Sequence, residues 1–364
     1  MPIFSPLRVG ELLLPNRIVM APLGRGRAEP LSREPLGRTV TYYVQRATAG
    51  LIVSEATHIA VDSVSRPGTS AIHTDGQVSA WRRVTDAVHA AGGRIFQQHF
   101  HLGRKADPAR LPHAGLPKAP SAVAAHATYP TPEGPKPFPV PRVLEREEIP
   151  GLVAEFAHAA QNAKRAGFDG VELHGANGFL LDQFLRENSN LRTDDYGGSI
   201  ENRARFLLEV VDAVSAELGS GRVGVRVSPH FTADGSGDSD PVALYGYVAK
   251  ELEKRKVAYL HLIEPAPTPE SARLAPELRK LFTGPLILCG GFERDSADRA
   301  VSEGRADLIA FGAGFIANPD LVERLRRRAP WNPPRPELHS SGGDEGYIDY
   351  PFLDEPPSLA ASAE

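Results

Sequence analysis

The sequence predicts an α/β chain folded as a (β/α)8 TIM barrel, on three observations. Short β-branched or apolar runs alternate with longer amphipathic stretches, which is how a parallel strand and its return helix appear in sequence. Eight such units follow one another with no second compositional regime between them. The chain has 364 residues; a quota of roughly 150 residues per domain would suggest two units, yet α/β barrels of this length commonly form one. We therefore expect a single TIM-barrel domain over residues 1–364, with an open doubly wound sheet as the alternative.

The expected strands are Arg17–Met20, Gly50–Glu55, Arg94–Phe100, Gly170–His174, Val223–Ser228, Tyr259–Ile263, Pro285–Cys289 and Asp307–Phe311. Amphipathic segments between them predict helices over Val78–Ala91, Gly151–Ala166, Ile200–Leu218, Val242–Arg255 and Pro319–Arg328. Asp240-Pro241 and Asn318-Pro319 each set a capping side chain before a proline at the first helical position, where the missing N–H costs nothing. Two stretches fall outside the repeating units. Residues 101–143, rich in Pro, Ala and His, follow the third strand and read as a capping excursion over the barrel mouth. The segment from Trp331 is rich in Pro, Gly and Ser, and residues 354–364 are expected to be a disordered tail.

Composition narrows the function classes. Hydrophobic residues make up 41% and charged residues 24%, which excludes disorder as the main state. The net charge of -4 gives no electrostatic reason to expect nucleic acid or an anionic membrane, so a small-molecule partner fits better. A single cysteine, Cys289, excludes an intramolecular disulfide framework and suits a reducing cytoplasm; lying in Leu286-Ile287-Leu288-Cys289, it reads as a buried, inert thiol. Met1 to Leu14 lacks the pattern of a secretory signal, and no run approaches about 18 apolar residues. A cytoplasmic protein is expected.

In barrels of this kind functional residues project from the C-terminal strand ends and the loops beyond them. The ends of strands seven and eight carry Gly290-Gly291 and Gly312-Ala313-Gly314, where backbone N–H groups can approach a phosphate, although glycines there also simply make turns. Arg226 sits within an alternating strand, so its guanidinium needs an anionic or carbonyl partner; an internal pair with Glu172 is the plainer alternative. His174 and Asn177, just past an apolar strand, can aim two donors at one ligand oxygen and stabilise charge developing on a carbonyl, unless His174 is only structural. His99 and His101 alternate away from Gln98 and Phe100, and with no third ligand evident no metal site is expected.

Taken together, these motifs resemble the old yellow enzyme family of FMN-dependent ene-reductases. The resemblance runs from Phe4-Ser5-Pro6-Leu7 to Asp349-Tyr350-Pro351 and rests most on Asn16-Arg17-Ile18-Val19-Met20-Ala21-Pro22-Leu23, on Ser54-Glu55-Ala56-Thr57, and on His174-Gly175-Ala176-Asn177-Gly178-Phe179-Leu180-Leu181-Asp182-Gln183-Phe184-Leu185. Tyr196-Gly197-Gly198-Ser199-Ile200-Glu201-Asn202-Arg203 and Phe315-Ile316-Ala317-Asn318-Pro319-Asp320-Leu321 add to it. The resemblance implies FMN across the barrel mouth, NAD(P)H as reductant, hydride delivery to the β-carbon of an activated alkene, and a monomer or homodimer. By position, Pro22, Leu23, Gly24, Ala56, Gln98 and Arg226 would contact the ring and ribityl parts. Gly290, Gly291, Gly312 and Ala313 would hold phosphate, and His174 with Asn177 would bind the substrate oxygen.

Several positions depart from the family pattern. Gly24 stands where Thr is usual, Phe100 in place of a Trp, Arg66 in place of an aromatic residue, and Ser340 where Tyr is frequent; the last three would shape the substrate pocket. Phe179 replaces the tyrosine that would protonate the substrate α-carbon, and general acids contribute about 10²–10⁴ in rate. Ala313 replaces an arginine that would bond phosphate, a loss of roughly 1.5–3 kcal/mol. Two functions follow from this pattern: an FMN-dependent oxidoreductase lacking the usual proton donor, or a non-redox isomerase or cyclase acting on an enone in the same pocket. A binding protein without turnover is the third reading.

Overall fold

The computed structural model describes residues 2–63, 66–112, 115–131, 133–264 and 271–354. At its centre are eight parallel strands: β1 (Ile18–Met20), β2 (Leu51–Val53), β3 (Ile95–Phe100), β4 (Gly170–Gly175), β5 (Val223–Val227), β6 (Tyr259–Ile263), β7 (Leu286–Cys289) and β8 (Leu308–Phe311). Each pairs with the next, and β8 returns to β1 with Ala310 opposite Val19, so the sheet closes on itself. The closed (β/α)8 barrel stands, and the open sheet does not. Between and after the strands lie α1 (Gly37–Val44), α2 (Asp75–Ala90), α3 (Ile149–Arg165), α4 (Ile200–Leu218), α5 (Pro241–Arg255), α6 (Ser271–Leu281), α7 (Arg294–Ser302) and α8 (Leu321–Arg327).

Local chemistry sets the helix ends. The Ser199 hydroxyl accepts the Asn202 N–H at the start of α4, and Gly219, at φ 86°, stops it. Asp240 accepts the Ala243 N–H ahead of Pro241 in α5, as its sequence predicts. The corresponding start at Asn318-Pro319 is not formed, and α8 begins at Leu321. The Asn318 side chain is turned to other partners, donating to the Gly314 carbonyl (2.8 Å) and accepting from the Asn332 N–H (2.7 Å), which aims its oxygen at Asn332 and not at a helix start.

Every residue of β3, β4 and β5 is buried, because helices cover the outside and side chains fill the inside. Val171 and Leu173 face the helices in the main core, whereas the alternate residues Glu172 and His174 face inward. The lower barrel is filled by Val19, Leu51, Val53, Phe96, Tyr259, Ile287 and Leu308, against which the hairpin Leu7–Val9 with Leu12–Leu14 packs. The apolar plug leaves polar inward residues only toward the C-terminal mouth.

The excursion after β3 is folded. It contains tight turns at Gly103–Lys105 and Pro108–Arg110, an antiparallel pair Thr128–Thr131 with Gly134–Pro137, and a short parallel pair of Lys118–Ala119 with Arg142–Val143. The segment after α8 returns across the first βα loop, where Tyr347 stacks on Tyr42 (4.2 Å between ring centres). Buried Arg25 donates to the carbonyls of His339 (2.8 Å) and Gly346 (2.7 Å), and Arg27 donates to those of Leu338, Gly343 and Glu345. Apart from Asp354, the expected disordered tail at 354–364 lies outside the described residues. Among the described residues, no helix is long and apolar enough to cross a membrane.

Candidate active site

A cavity of about 690 Å³ opens at the C-terminal mouth, within the range of small-ligand pockets. Pro22 and Gly24 after β1, Ala56 after β2, Gln98 and Phe100 of β3, His174 of β4 and Arg226 of β5 line it. Arg66 borders it from the loop after β2. The excursion supplies another wall with Leu102, Lys105, Asp107, Arg110, Ala127–Thr131 and Phe138, which is the capping role its composition suggested.

The His174–Asn177 turn is held by residues of its own motif. Asn177 (φ 57°) and Gly178 (φ 70°) both adopt left-handed backbone, which Asn tolerates and Gly takes freely. A Cβ at Gly178 would sit 2.0 Å from an Asp234 oxygen. The Ser228 hydroxyl accepts the Asn177 N–H (2.7 Å), and Asp182 accepts the Gly178 N–H (2.9 Å). Gln183 donates to the carbonyls of Gly178 (2.8 Å) and Leu102 (2.9 Å) and accepts the Arg104 N–H (3.1 Å), tying this turn to the excursion. Phe179 caps the short helix Leu180–Leu185, with its ring edge-on to His174 (4.9 Å) and Phe100 (5.2 Å).

Below the mouth lies a buried polar relay. Glu172 accepts from Gln98 (2.7 Å) and pairs with His261 Nδ1 (2.7 Å). Arg226 does not take the direct ion pair with Glu172; its Nη2 reaches Cys289 Sγ at 3.6 Å, and its Nε has no protein partner. Cys289 is less enclosed than the sequence reading had it. It is half-buried, and although burial pushes the thiol up, the His261 hydrogen bond and the Arg226 charge outweigh this and hold it below its ordinary value. Burial pushes the His174 imidazole well below its ordinary value, and Arg226 and Lys105 push the same way, so the ring is neutral at pH 7. His174 Nδ1 lacks a protein partner. Beside Ala56, buried Glu55 accepts the Arg25 N–H (3.3 Å), and burial raises its carboxyl to about 7.

Most of the expected site residues meet in this cavity: Pro22, Gly24, Ala56, Arg66, Gln98, Phe100, His174, Asn177, Phe179 and Arg226. Leu23 does not line it but packs with Ile316, Ala317 and Tyr350, and Ser340 reaches only the Gly24 carbonyl (3.4 Å), so neither borders the cavity directly. Gly290, Gly291, Gly312 and Ala313 also lie outside the lining, at the adjacent ends of β7 and β8. Gly290 is obligatory there: its φ is 147°, and a Cβ would lie 1.5 Å from the Glu264 carbonyl oxygen.

Sequence reasoning missed Lys105, whose Nζ donates to the Asn177 carbonyl (2.9 Å), pairs with Asp234 (3.1 Å) and stands 4.8 Å from the Phe179 ring centre. It also missed the companions of His101. Asp62, His101 and Glu155 bring one potential ligand atom each within 4.8 Å of one another, so further ligand types do exist beside a histidine. The Gly103 N–H donates to His101 Nδ1 (3.0 Å), which leaves the ring proton on Nε2, facing the carboxylates as a donor and not as a lone pair. Lys118 already supplies Asp62 with a cation at 2.6 Å. This is an ion-pair cluster anchoring the excursion.

Comparison with known proteins agrees with this geometry. Residues 2–332 match the NADH:flavin oxidoreductase / NADH oxidase family. The chain belongs to that family. It is 43% identical over 357 residues to a probable flavin mononucleotide-dependent alkene reductase of Leishmania infantum, covering 96% of this chain and 97% of that protein. Among solved structures it resembles morphinone reductase in complex with tetrahydroNAD (TM-score 0.92, 47% identity, 97% and 98% of the two chains). It also resembles the old yellow enzyme homologue from Zymomonas mobilis (TM-score 0.92, 41% identity, 96% and 99%). The chain is thus an enzyme of the NADH:flavin oxidoreductase kind, in an old yellow enzyme barrel.

The residues present fit the family's flavin. Arg226 Nε is a buried donor without a protein partner at the cavity edge, the defect a ligand carbonyl or anion would repair. Pro22, Gly24 and Ala56 offer a low wall, with nothing within 4 Å of where a Gly24 Cβ would be.

Proposed function

We propose that this enzyme is an FMN-dependent oxidoreductase that takes hydride from NAD(P)H and delivers it to the β-carbon of an activated alkene, an enone or a related small molecule. The observation that carries this reading is the neutral His174 beside Asn177, both facing one cavity with Arg226 and Gln98. FMN, when bound, supplies reversible hydride storage. Gln98 and Arg226 would hold its polar ring edge, with Pro22, Gly24 and Ala56 alongside. Backbone N–H groups of Gly290, Gly291, Gly312 and Ala313 would receive its phosphate.

The rest of the chemistry belongs to the side chains. His174 and Asn177 bind the substrate oxygen as neutral donors, withdrawing charge from the alkene and stabilising the enolate as it forms. Phe100 and Phe179 exclude water from that oxygen, while Arg66 and the Thr128–Thr131 ribbon border the substrate entrance. Ser340 supports the Gly24 loop from behind. The non-redox isomerase reading drew on Phe179 having no acidic proton, and a lysine in the same cavity weakens that ground. We place the activity in the cytoplasm, with the chain working as one barrel unit.

The test is anaerobic. NADPH should bleach the flavin of the purified, FMN-loaded protein, and cyclohex-2-enone should restore its colour. Absence of bleaching removes this reading.

A further inference from the structure

We propose that Lys105 is the proton donor of this site, delivering the proton of its ammonium group to the substrate α-carbon. The inference rests on the ene-reduction reading above and deepens it. Adding hydride to the β-carbon of an enone moves the alkene π pair onto the α-carbon and the carbonyl oxygen, so a proton must reach the α-carbon. Phe179 has none to give. An ammonium N–H, like a phenol O–H, is a proton donor that can supply it.

Most other polar groups around the cavity are poorer candidates. Arginines hold their protons. His174 is held neutral by burial and its cationic neighbours, and a neutral imidazole is a very weak acid. Asp107 accepts from the Ala109 N–H and from Arg110. Tyr129 also lines the cavity, with its ring against Phe138 (5.1 Å between ring centres), so it is the rival donor that the test must separate from Lys105.

Lys105 is placed for the task. Its Nζ stands over the Phe179 ring and is fixed by the Asn177 carbonyl and Asp234, with 16% of the side chain exposed. One N–H remains after these two contacts, since an ammonium has three. In the step, that N–H bond breaks, a C–H bond forms at the α-carbon, and the neutral amine regains its proton from water. Asp234 keeps the side chain against Asn177, and the Arg104 guanidinium (3.8 Å) shares the same carboxylate.

The test compares FMN-loaded wild type with Lys105→Met, Lys105→Arg and Lys105→Met/Phe179→Tyr in the reoxidation half-reaction. Cyclohex-2-enone needs a carbon acid, whereas a quinone takes its protons on oxygen. The enone-to-quinone rate ratio should fall about 10²–10⁴-fold in both single variants, because arginine keeps the charge but cannot release a proton. The added tyrosine should restore it. A second readout needs no turnover, since the protonation step run backwards has the neutral amine take an α-proton and the resulting ammonium exchange it with solvent. With oxidised enzyme and no reductant, in alkaline D2O where free amine is available, wild type should accelerate deuterium exchange at the α-carbon of cyclohexanone, and Lys105→Met should not.

An unchanged ratio in Lys105→Met, or a wild-type ratio in Lys105→Arg, overturns the proposal. So does loss of the enone rate in Tyr129→Phe with Lys105→Met unaffected. Failure of NADPH to bleach the flavin of the wild type would instead overturn the function on which it rests.

Discussion

Glu55 makes the stability of the first wall of the site depend on pH. Its side chain is buried, and burial raises its carboxyl from 4.5 to about 7, against the opposing pull of the Arg25 N–H, Ser70 and the charges of Arg25 and Arg27. The fold therefore favours the protonated acid. For a raised acid, the extra stability is fully present below the unfolded value near 4.5 and is lost as pH rises through the folded value near 7. At about 1.4 kcal/mol per pH unit, the gap amounts to about 3 kcal/mol. Urea unfolding of wild type and Glu55→Gln between pH 4.5 and 8.5 isolates the effect, because other titrations cancel in the difference. Wild type should lose about 3 kcal/mol relative to the variant across that window. A difference that stays flat, or that grows with pH, would refute the assignment of burial as the dominant force on this carboxyl.

Three further outcomes are expected. Ala313→Arg, at an exposed position beside the glycines of β7 and β8, should tighten FMN about 10- to 100-fold in a fluorescence titration. Alkylation of Cys289 by iodoacetamide should begin at lower pH than for an ordinary thiol, and His261→Gln should move that profile upward, since His261 and Arg226 hold the thiol down. Arg25→Met leaves the His339 and Gly346 carbonyls without their donor, at about 1–3 kcal/mol each, and should open residues 339–350 to limited proteolysis.

The barrel was legible because strands such as Leu51–Val53, Leu286–Cys289 and Leu308–Phe311 are apolar runs, and others, such as Val223–Val227, carry only isolated polar residues. Tyr259–Ile263 and Ile200–Leu218 coincide with their predicted bounds, the helix because Ser199 and Gly219 mark both its ends. The strand-end rule then found Gln98, His174, Asn177 and Arg226. What stayed hidden are contacts between residues remote in sequence: Glu172 with His261, Asp62 with His101, and Lys105 with Asn177. No spacing encodes these, since loop paths bring them together. The failed cap at Asn318 has the same origin, a tertiary partner at Asn332 outcompeting the local motif. Lys105 had one signal, a basic Arg104-Lys105 pair just beyond the third strand, on the face where barrels do chemistry.

The arginine clamp ties the loop after β1 to backbone carbonyls between residues 338 and 346. More than 310 positions separate Arg25 and Arg27 from these acceptors, so the loop after β1 is made long before the carbonyls that answer it. The nascent chain must carry two unanswered guanidinium groups until then. Assembly of the catalytic mouth is thereby deferred until residues 338–346 have emerged and folded back onto it.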